Sequence, residues 1–362
     1  MMAGVPERLR VAYTLEQCWH PVPGGTAVAA LEVARRLAER DDVELIGVAG
    51  RHRRPPEPPF VPPVPVCQLP LARPWLYEAW NRTGRPLVER ATGPVDVCHS
   101  TTGIPAATKR PHVVTVHDAA FLATPERFTR HGARVMRAGL ERCRAADLVL
   151  CPSAATRDDL VANGFDGERI RVVPWGVSPV DVGDTDLDRV RGRYALPERF
   201  VLFVGTVEPR KNLTRLAAAV ARLDDGLPLV VAGAAGWGED PDTGTAATLF
   251  LGFVPDGDLP ALYAAATVFA YPSLQEGFGL PVAEAMATGV PVVTSRGGAT
   301  EEVAAGAAVL VDPTDVDAIR DGVADALSTP EVWIERGRTR AAALTWDAAV
   351  ERTVAAYREV AG

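Results

Sequence analysis

Lysine is scarce in this chain of 362 residues, which has 38 basic side chains but only two lysines, Lys109 and Lys211. A preference for arginine of this size is typical of codon bias in a GC-rich genome. A lysine that is kept against such a bias marks a position to inspect for function. The formal net charge of −8 argues against general nucleic-acid binding, which needs a basic surface.

Paired cysteines and long apolar runs are also missing. The five cysteines show no CxxC spacing and no histidine partners at metal-ligand spacing, which predicts a reduced, cytosolic protein. Residues 1–10 lack the apolar core of a signal peptide, so no secretion signal is expected. The longest uncharged run, residues 259–275, contains two prolines and is too short to span a bilayer.

The length predicts about two domains, and charge is divided unevenly between the halves. Residues 1–180 hold 23 basic and 19 acidic side chains, a net +4, whereas residues 181–362 hold 15 and 27, a net −12. This asymmetry suggests two units that meet different partners. We predict domains at 1–178 and 193–345, with the linker in the acidic segment 177–197.

Short apolar runs alternate with helical segments along the whole chain. Continuous apolar strands are typical of sheets buried on both faces, and their alternation with helices indicates parallel order. The fold class is therefore α/β, with two doubly wound Rossmann-like domains facing a central cleft. Residues 51–65 hold seven prolines and predict an extended loop. Residues 74–91 are predicted to form one helix. The predicted strands are 9–13, 43–48, 64–69, 95–98, 112–116, 148–151, 200–204, 229–232, 248–253, 268–270, 290–294 and 308–311.

The most informative motif places two carboxylates, Glu276 and Glu284, eight positions apart around the turn 277–279. Pro281 suits the first turn of a helix, and the free N–H groups at a helix start favour an anion. A carboxylate beside such a site fits a phosphate that also bears hydroxyl groups. A nucleotide sugar has this chemistry, with a hexose on one side of the diphosphate and a ribose on the other.

Basic and polar residues follow other predicted strands, where ligands of doubly wound sheets bind. Arg210 and Lys211 can neutralise a diphosphate, or they form a solvated basic turn capped by Asn212. Gly24 and Gly25 form either a phosphate-binding turn or a plain one. His117 offers a hydrogen bond to a sugar hydroxyl, or it is a satisfied buried histidine.

Two further features have structural and functional interpretations. Six arginines and one acid lie between Arg127 and Arg144, which indicates a basic amphipathic helix. Its basic face is either solvated or rests on an anionic membrane or a phosphorylated acceptor. The pairs Asp184/Asp186 and Asp256/Asp258 imitate metal-binding motifs, and we interpret both as structural.

Together these motifs resemble the retaining glycosyltransferases of the GT-B fold, family 4, over nearly the whole chain. Glu276 and Glu284 match the family's E-x7-E motif, and residues 203–212 are similar to the phosphate-binding segment of its mannosyltransferase-like members. Residues 344–357 resemble the C-terminal helix that crosses back to the first domain, which adds 346–362 to that domain. Thr206 stands where many relatives carry arginine.

The resemblance implies roles for the residues. Arg210 and Lys211 would hold the donor diphosphate, and Glu276 and Glu284 would bind the hexose and the ribose, with His117 near the reacting sugar. It further implies front-face transfer that needs neither metal nor cofactor. The resemblance also implies donor contacts for the glycine loops and for the residue after the first strand of the second domain. These residues are Gly24, Gly25, Thr206, Gly277, Phe278, Gly279 and Leu280.

The predicted function is transfer of a hexose to a glycan or lipid-linked acceptor, in a cytoplasmic protein with peripheral membrane contact as an option. GDP-mannose is the favoured donor and a UDP-sugar the other candidate. Two alternatives stay open at this point: a nucleotide-sugar 2-epimerase or phosphorylase of similar architecture, and a non-catalytic protein that binds nucleotide sugars.

Overall fold

The computed structural model describes residues 8–20, 24–119, 122, 130–234, 236, 241–244 and 246–362. The chain divides into two compact units. The first comprises Met1–Trp175 together with Trp346–Gly362, and the second comprises Gly176–Thr345. Both are parallel α/β units, as the sequence predicts.

Within its described residues, the first unit contains a seven-stranded parallel sheet in the order β3-β2-β1-β4-β5-β6-β7. Most residues of the central strands are buried, as is typical of a parallel sheet covered on both faces. The chain order reverses between β1 and β4, which are hydrogen-bonded neighbours. The strands are β1 (Leu9–Thr14), β2 (Val43–Ala49), β3 (Val66–Gln68), β4 (Val97–Ser100), β5 (His112–Thr115), β6 (Leu148–Cys151) and β7 (Ile170–Val172).

The helices of the first unit include the last helix of the chain, as the resemblance implies. Tyr357 on that helix lies in the core of the unit, where its hydroxyl is 2.7 Å from Nδ1 of His99. On the surface, Arg36 pairs with Asp347 at 3.0 Å. The helices are α1 (Gly24–Ala38), α2 (Trp75–Thr83), α3 (Glu89–Thr92), α4 (Arg130–Cys143), α5 (Ala154–Ala162) and α13 (Trp346–Ala361).

The second unit holds a six-stranded parallel sheet, counted over its described residues, in the order β10-β9-β8-β11-β12-β13. Here the order reverses between β8 and β11. The strands are β8 (Val201–Val204), β9 (Leu229–Ala232), β10 (Thr248–Gly252), β11 (Val268–Tyr271), β12 (Val292–Ser295) and β13 (Val309–Val311). The helices are α6 (Asp184–Tyr194), α7 (Leu213–Val220), α8 (Leu259–Ala265), α9 (Leu280–Thr288), α10 (Gly298–Ala304), α11 (Val316–Ser328) and α12 (Pro330–Ala342).

The structure differs from the sequence-based element assignment in three places. The segment predicted as a linker contains α6, which lies in the second unit and contacts α8. A helix predicted over 74–91 is instead α2 and α3, because Gly84 ends α2 in a left-handed conformation. The short strand β7 went unpredicted, since its three residues include Arg171 and give a weak apolar signal.

Asp258 explains why the acidic α6 packs in the second unit. Its carboxylate is buried and accepts hydrogen bonds from Arg193 at 2.9 Å and from the hydroxyl of Tyr194 at 2.7 Å. Arg189 pairs with the same carboxylate. Asp258 therefore holds α6 in place, in agreement with its structural interpretation.

Helix α4 covers most of the predicted basic segment, whose residues 127–129 lie outside the described part of the chain. Leu140 and Cys143 are buried, and Met136 packs against the same core cluster. Arg134 and Arg137 are exposed. The helix is amphipathic, as predicted. No helix in the described residues is long and apolar enough to cross a membrane.

Candidate functional site

The polar groups of the second unit collect where its sheet order reverses. Arg210 and Lys211 lie in a single 3-10 turn after β8, and Glu276 follows β11, the neighbouring strand. Ligands of open α/β sheets bind at such a reversal, outside the carboxyl ends of the strands. The fold thus brings Glu276 to Arg210 and Lys211, which lie 66 and 65 positions before it in sequence.

Asn212 fixes the turn that carries the two cations. It adopts a left-handed conformation, with φ of 63°, which asparagine tolerates better than most residues. Its side-chain amide donates to the carbonyls of Pro272, at 2.9 Å, and Pro313, at 2.6 Å. Asn212 precedes α7 as predicted, but its side chain does not cap the helix and instead ties the turn to two neighbouring loops.

The side chains of Lys211 and Glu276 are 8% and 9% exposed, so the solvated-turn interpretation is wrong. Lys211 Nζ lies 2.6 Å from Oε1 of Glu276. The same oxygen accepts from the hydroxyls of Ser273, at 2.6 Å, and Tyr271, at 2.9 Å. Oε2 accepts from Nη1 of Arg210 at 2.9 Å. Glu276 is therefore the centre of a buried polar network.

A second buried carboxylate, that of Glu208, also pairs with Arg210. The Glu208 side chain is 2% exposed, and its Oε1 lies 2.6 Å from Nε of Arg210. Burial raises the pKa of Glu276, but Lys211, Arg210 and the hydrogen bonds to the carboxylate outweigh it and lower the pKa to about 2. Glu276 is thus ionised at neutral pH, and two carboxylates balance two cations.

The glycine turn leads directly from this network into α9. Gly279 has φ of 98°, and a Cβ atom there would lie 2.8 Å from Cγ2 of Thr300, so both the conformation and the space require glycine. Leu280 is the first residue of α9, and Pro281 stands in its first turn. Phe278 is buried, and Gly277 precedes it. The helix start therefore follows within four residues of Glu276.

Glu284 lies one turn into α9 and has a different environment. Its Oε2 accepts from the hydroxyl of Tyr263 at 2.9 Å. Burial raises the pKa of Glu284 to about 7, assisted by the nearby charge of Asp256 and opposed by the Tyr263 hydrogen bond. Burial thus raises the pKa of both carboxylates of the motif, but the cations beside Glu276 reverse the effect there, whereas the charge of Asp256 adds to it at Glu284.

The other predicted donor residues occupy separate places in the two units. Thr206 follows β8 and is half-buried beside Gly236. In the first unit, Gly24 and Gly25 open α1, and a Cβ on Gly25 would lie 3.8 Å from the ring of Trp175. The backbone at Gly25 therefore lies next to the ring of Trp175.

His117 follows β5 in the first unit. Its Nε2 donates to the carbonyl of Thr101 at 2.7 Å, and its ring packs edge-on to Trp175. Burial lowers its pKa, which favours the neutral ring with the proton on Nε2. His99 bonds to Tyr357 and Thr115 and is part of the core.

Two buried polar residues follow β1 and precede the predicted glycine turn, and no sequence motif marks them. Glu16 is buried and accepts from the backbone N–H of Gly50 at 2.6 Å and from Nε2 of His52 at 3.1 Å. Gln17 is also buried and donates from Nε2 to the hydroxyl of Thr101 at 2.8 Å. Their position directly after a buried strand was the available signal.

The model for glycosyl transferases group 1 matches residues 184–343, and that for glycosyltransferase family 4 matches residues 23–180. An O-antigen chain mannosyltransferase B of Escherichia coli is 35% identical over 68% of this chain and 70% of its own length. A D-inositol 3-phosphate glycosyltransferase of Acidothermus cellulolyticus is 31% identical over 93% and 86%.

Solved structures share the fold at lower sequence identity. Anabaena Alr3699/HepE in complex with UDP and glucose is 19% identical, covers 97% of this chain and all of its own, and gives a TM-score of 0.72. WaaG, a glycosyltransferase involved in lipopolysaccharide biosynthesis, gives 0.70 at the same identity and coverage. These likenesses show a fold with two Rossmann-like domains. The chain belongs to family 4 of the glycosyltransferases and has the GT-B fold.

Proposed function

We propose that this glycosyltransferase moves a hexose from a nucleotide sugar to a glycan or lipid-linked acceptor of the cell envelope, with GDP-mannose as the donor. The observation that carries the proposal is the buried network of Arg210, Lys211 and Glu276 at the sheet reversal. Mannosyltransferases among its relatives support the choice of sugar, since one acts on the O-antigen chain and another is named as an MMP alpha-(1->4)-mannosyltransferase.

Arg210 and Lys211 bind the diphosphate of the donor and stabilise the charge that grows on it as the glycosidic bond breaks. Their buried partners Glu208 and Glu276 fix both cations before the donor arrives. Cations that are already oriented avoid reorganisation during the reaction, which is the main source of electrostatic catalysis. The N–H groups of Gly279 and Leu280 at the start of α9 add dipoles of the same sign.

The two carboxylates of the motif bind the two polyol parts of the donor. Glu276 accepts hydroxyls of the hexose through its ionised oxygens, and Glu284 accepts those of the ribose. Thr206, Gly277 and Phe278 line the donor beside them. In the first unit, Gly24 and Gly25 approach the phosphates and His117 contacts the reacting sugar.

The transfer retains the anomeric configuration and proceeds on one face of the sugar. The acceptor hydroxyl attacks the anomeric carbon while the nucleoside diphosphate leaves, and the departing phosphate oxygen takes up the proton of that hydroxyl. No covalent intermediate with the enzyme forms. The anomeric proton coupling of the product, compared with that of the donor, tests this step, since inversion would exclude it. We further propose that no metal is needed, and transfer that stops in EDTA would contradict this.

The experiment that tests the whole proposal is a donor screen. Thermal shift with GDP, UDP and ADP identifies the base, because a bound ligand raises the midpoint of unfolding by mass action. The matching mannose or glucose nucleotide is then incubated with methyl α-mannoside, and the new glycoside is measured. Turnover of UDP-N-acetylglucosamine without any acceptor would instead indicate a 2-epimerase, and nucleotide binding without turnover a non-catalytic protein.

The exposed arginines of α4 support a second part of the proposal, namely peripheral contact with an anionic membrane at its cytoplasmic face. Arg134 and Arg137 are exposed, whereas Leu140 and Cys143 on the same helix are buried. Each exposed cation near an anionic bilayer contributes about 1 kcal/mol of attraction. Co-sedimentation with vesicles containing phosphatidylglycerol should fall when both arginines become glutamate, and unchanged sedimentation would refute the contact.

A further inference from the structure

Each carboxylate of the motif receives a hydrogen bond from a buried tyrosine. The hydroxyl of Tyr271 donates to Oε1 of Glu276 at 2.9 Å. The hydroxyl of Tyr263 donates to Oε2 of Glu284, also at 2.9 Å. Both tyrosine rings are buried in the second unit. A buried tyrosine hydroxyl needs a polar partner, and here both partners are residues proposed to bind the donor.

A single phenylalanine joins the two tyrosine rings. Phe269 stands two residues before Tyr271 on β11, so the two side chains lie on the same face of the strand. Its ring stacks on that of Tyr271, with centroids 5.8 Å apart, and meets Tyr263 of α8 edge-on at 5.3 Å. Side chains in a close-packed core occupy defined rotamers. The three rings therefore fix the two hydroxyls relative to each other.

The hydroxyl of Tyr271 has a second partner, because it also accepts a hydrogen bond from Nζ of Lys211 at 2.5 Å. A hydroxyl has one proton and two lone pairs, so it can serve Lys211 and Glu276 at the same time. Oε1 of Glu276 receives three donors in all, whereas Oε2 receives Nη1 of Arg210. The three donors belong to Lys211, Ser273 and Tyr271. Among the described residues, Oε2 is thus the oxygen with capacity for a hexose hydroxyl.

We propose that Tyr271 and Tyr263 are positioning residues for different parts of the donor. Tyr271 orients Lys211 and Glu276 for the step in which the glycosidic bond breaks, and Tyr263 orients Glu284 for the ribose. This rests on the proposed function and adds two residues that act through other side chains. A change at Tyr271 should therefore alter kcat, and a change at Tyr263 should alter donor affinity.

Tyr271→Phe tests the first role, since it keeps the ring and removes only the hydroxyl. With GDP-mannose and methyl α-mannoside, we expect kcat to fall about tenfold and the affinity for GDP to change by less than about twofold. The affinity is kept because Arg210 retains its partner Glu208. A kcat equal to that of the wild type, or an equal loss of kcat and GDP affinity, would overturn this role.

Tyr194→Phe is the matched control. The hydroxyl of Tyr194 also donates to a buried carboxylate of the second unit, that of Asp258, at 2.7 Å. Its removal costs a hydrogen bond of the same kind outside the motif. We therefore expect wild-type kcat and wild-type donor affinity from Tyr194→Phe.

Tyr263→Phe should weaken donor binding in a way that depends on pH. The hydrogen bond from Tyr263 lowers the pKa of Glu284, whereas burial and the charge of Asp256 raise it. Without the hydroxyl, Glu284 ionises at higher pH. Affinity for GDP-mannose, measured by calorimetry, should therefore fall about threefold at pH 7 and recover at pH 9, with kcat at saturating donor unchanged. An affinity that is unchanged, or that falls equally at both pH values, would refute this role.

A double variant separates orientation of Lys211 from packing. If Tyr271 acts through Lys211, adding Tyr271→Phe to Lys211→Ala should reduce kcat little further, whereas independent effects would multiply. A further loss of about tenfold in the double variant would show that the hydroxyl does not act through Lys211.

Failure of the proposed function has a separate signature. If the wild type binds GDP-mannose but transfers no hexose, the proposed function fails, and the pH profile of Tyr263→Phe still decides whether Tyr263 orients Glu284. If the wild type binds none of GDP, UDP, ADP and GDP-mannose, both fail together. Normal transfer by the wild type, with both tyrosine variants equal to Tyr194→Phe, would overturn the inference alone.

Discussion

Nζ of Lys211 lies 2.6 Å from Oε1 of Glu276, with both side chains at least nine-tenths buried. Ion pairs at that depth are costly to break, since one partner then remains buried and uncompensated. This pair also lies at the sheet reversal where a donor diphosphate is proposed to bind. Removing either partner should therefore affect both stability and turnover.

Lys211→Ala should lower kcat/KM by about 2–4 kcal/mol in transition-state binding, or roughly 30- to 1,000-fold, by analogy with losing a donor to a developing anion. Steady-state release of GDP from GDP-mannose measures it. Lys109, the other lysine, is exposed, and Lys109→Ala is the matched control. A near-wild-type rate for Lys211→Ala would remove this residue from the mechanism.

Glu208→Gln tests whether Arg210 needs its buried partner. The neutral side chain keeps the shape but weakens a charge-assisted hydrogen bond to Nε, a change of about 1.5–3 kcal/mol. We expect kcat/KM to fall about 10- to 100-fold. Glu198, an exposed carboxylate of the same unit, provides the control as Glu198→Gln. If both variants turn over donor at the wild-type rate, Glu208 does not position Arg210.

Glu284 should make donor binding depend on pH. Its pKa of about 7 leaves it mostly protonated at pH 6 and ionised at pH 8, and the ionised form accepts the ribose hydroxyls better. Affinity for GDP-mannose should therefore rise up to about tenfold from pH 6 to pH 8. GDP-mannose suits calorimetry here because it carries no terminal phosphate that titrates in this range. Glu284→Gln should abolish the dependence, and its survival would assign it to another group.

The same carboxyl group should leave a signature in stability. Because its folded-state pKa is raised above the usual 4.5, its contribution is present at low pH and is lost as pH rises through about 7. We therefore compare the free energy of unfolding of Glu284→Gln with that of the wild type at each pH. From pH 5 to pH 8 this difference should shift in favour of the variant by about 1–3 kcal/mol. Urea unfolding at both pH values measures this, and a difference of opposite sign would contradict the raised pKa.

Gly279→Ala should destabilise the second unit by about 1–3 kcal/mol, because φ of 98° and the contact with Thr300 both oppose a Cβ atom. Adding Thr300→Ser to Gly279→Ala removes the clashing methyl group, so this double variant should recover part of the lost stability. Gly257 has open space around it, so Gly257→Ala is the control. Thermal unfolding of the four proteins checks the order, and equal midpoints would show that the turn adapts.

Much of the fold was predictable because its signals are local. Continuous apolar strands and intervening helices indicated two parallel α/β units, and most predicted strands lie within a few residues of those observed. Local signals failed where they were weak or misleading. The acidic residues of α6 suggested a linker because the buried partner of their arginines, Asp258, lies about 65 residues away.

The sequence by itself determined the positions of Arg210, Lys211, Glu276 and Glu284, since motif spacing and strand ends are local properties of the chain. Only the tertiary structure decided how these groups meet. The ion pair between Glu208 and Arg210 depends on side-chain packing, and so do the neighbouring charges that separate the pKa values of the two buried glutamates. The link between Gln17 and Thr101 joins residues 84 positions apart and exists because β1 and β4 are neighbours, an order that no local pattern encodes.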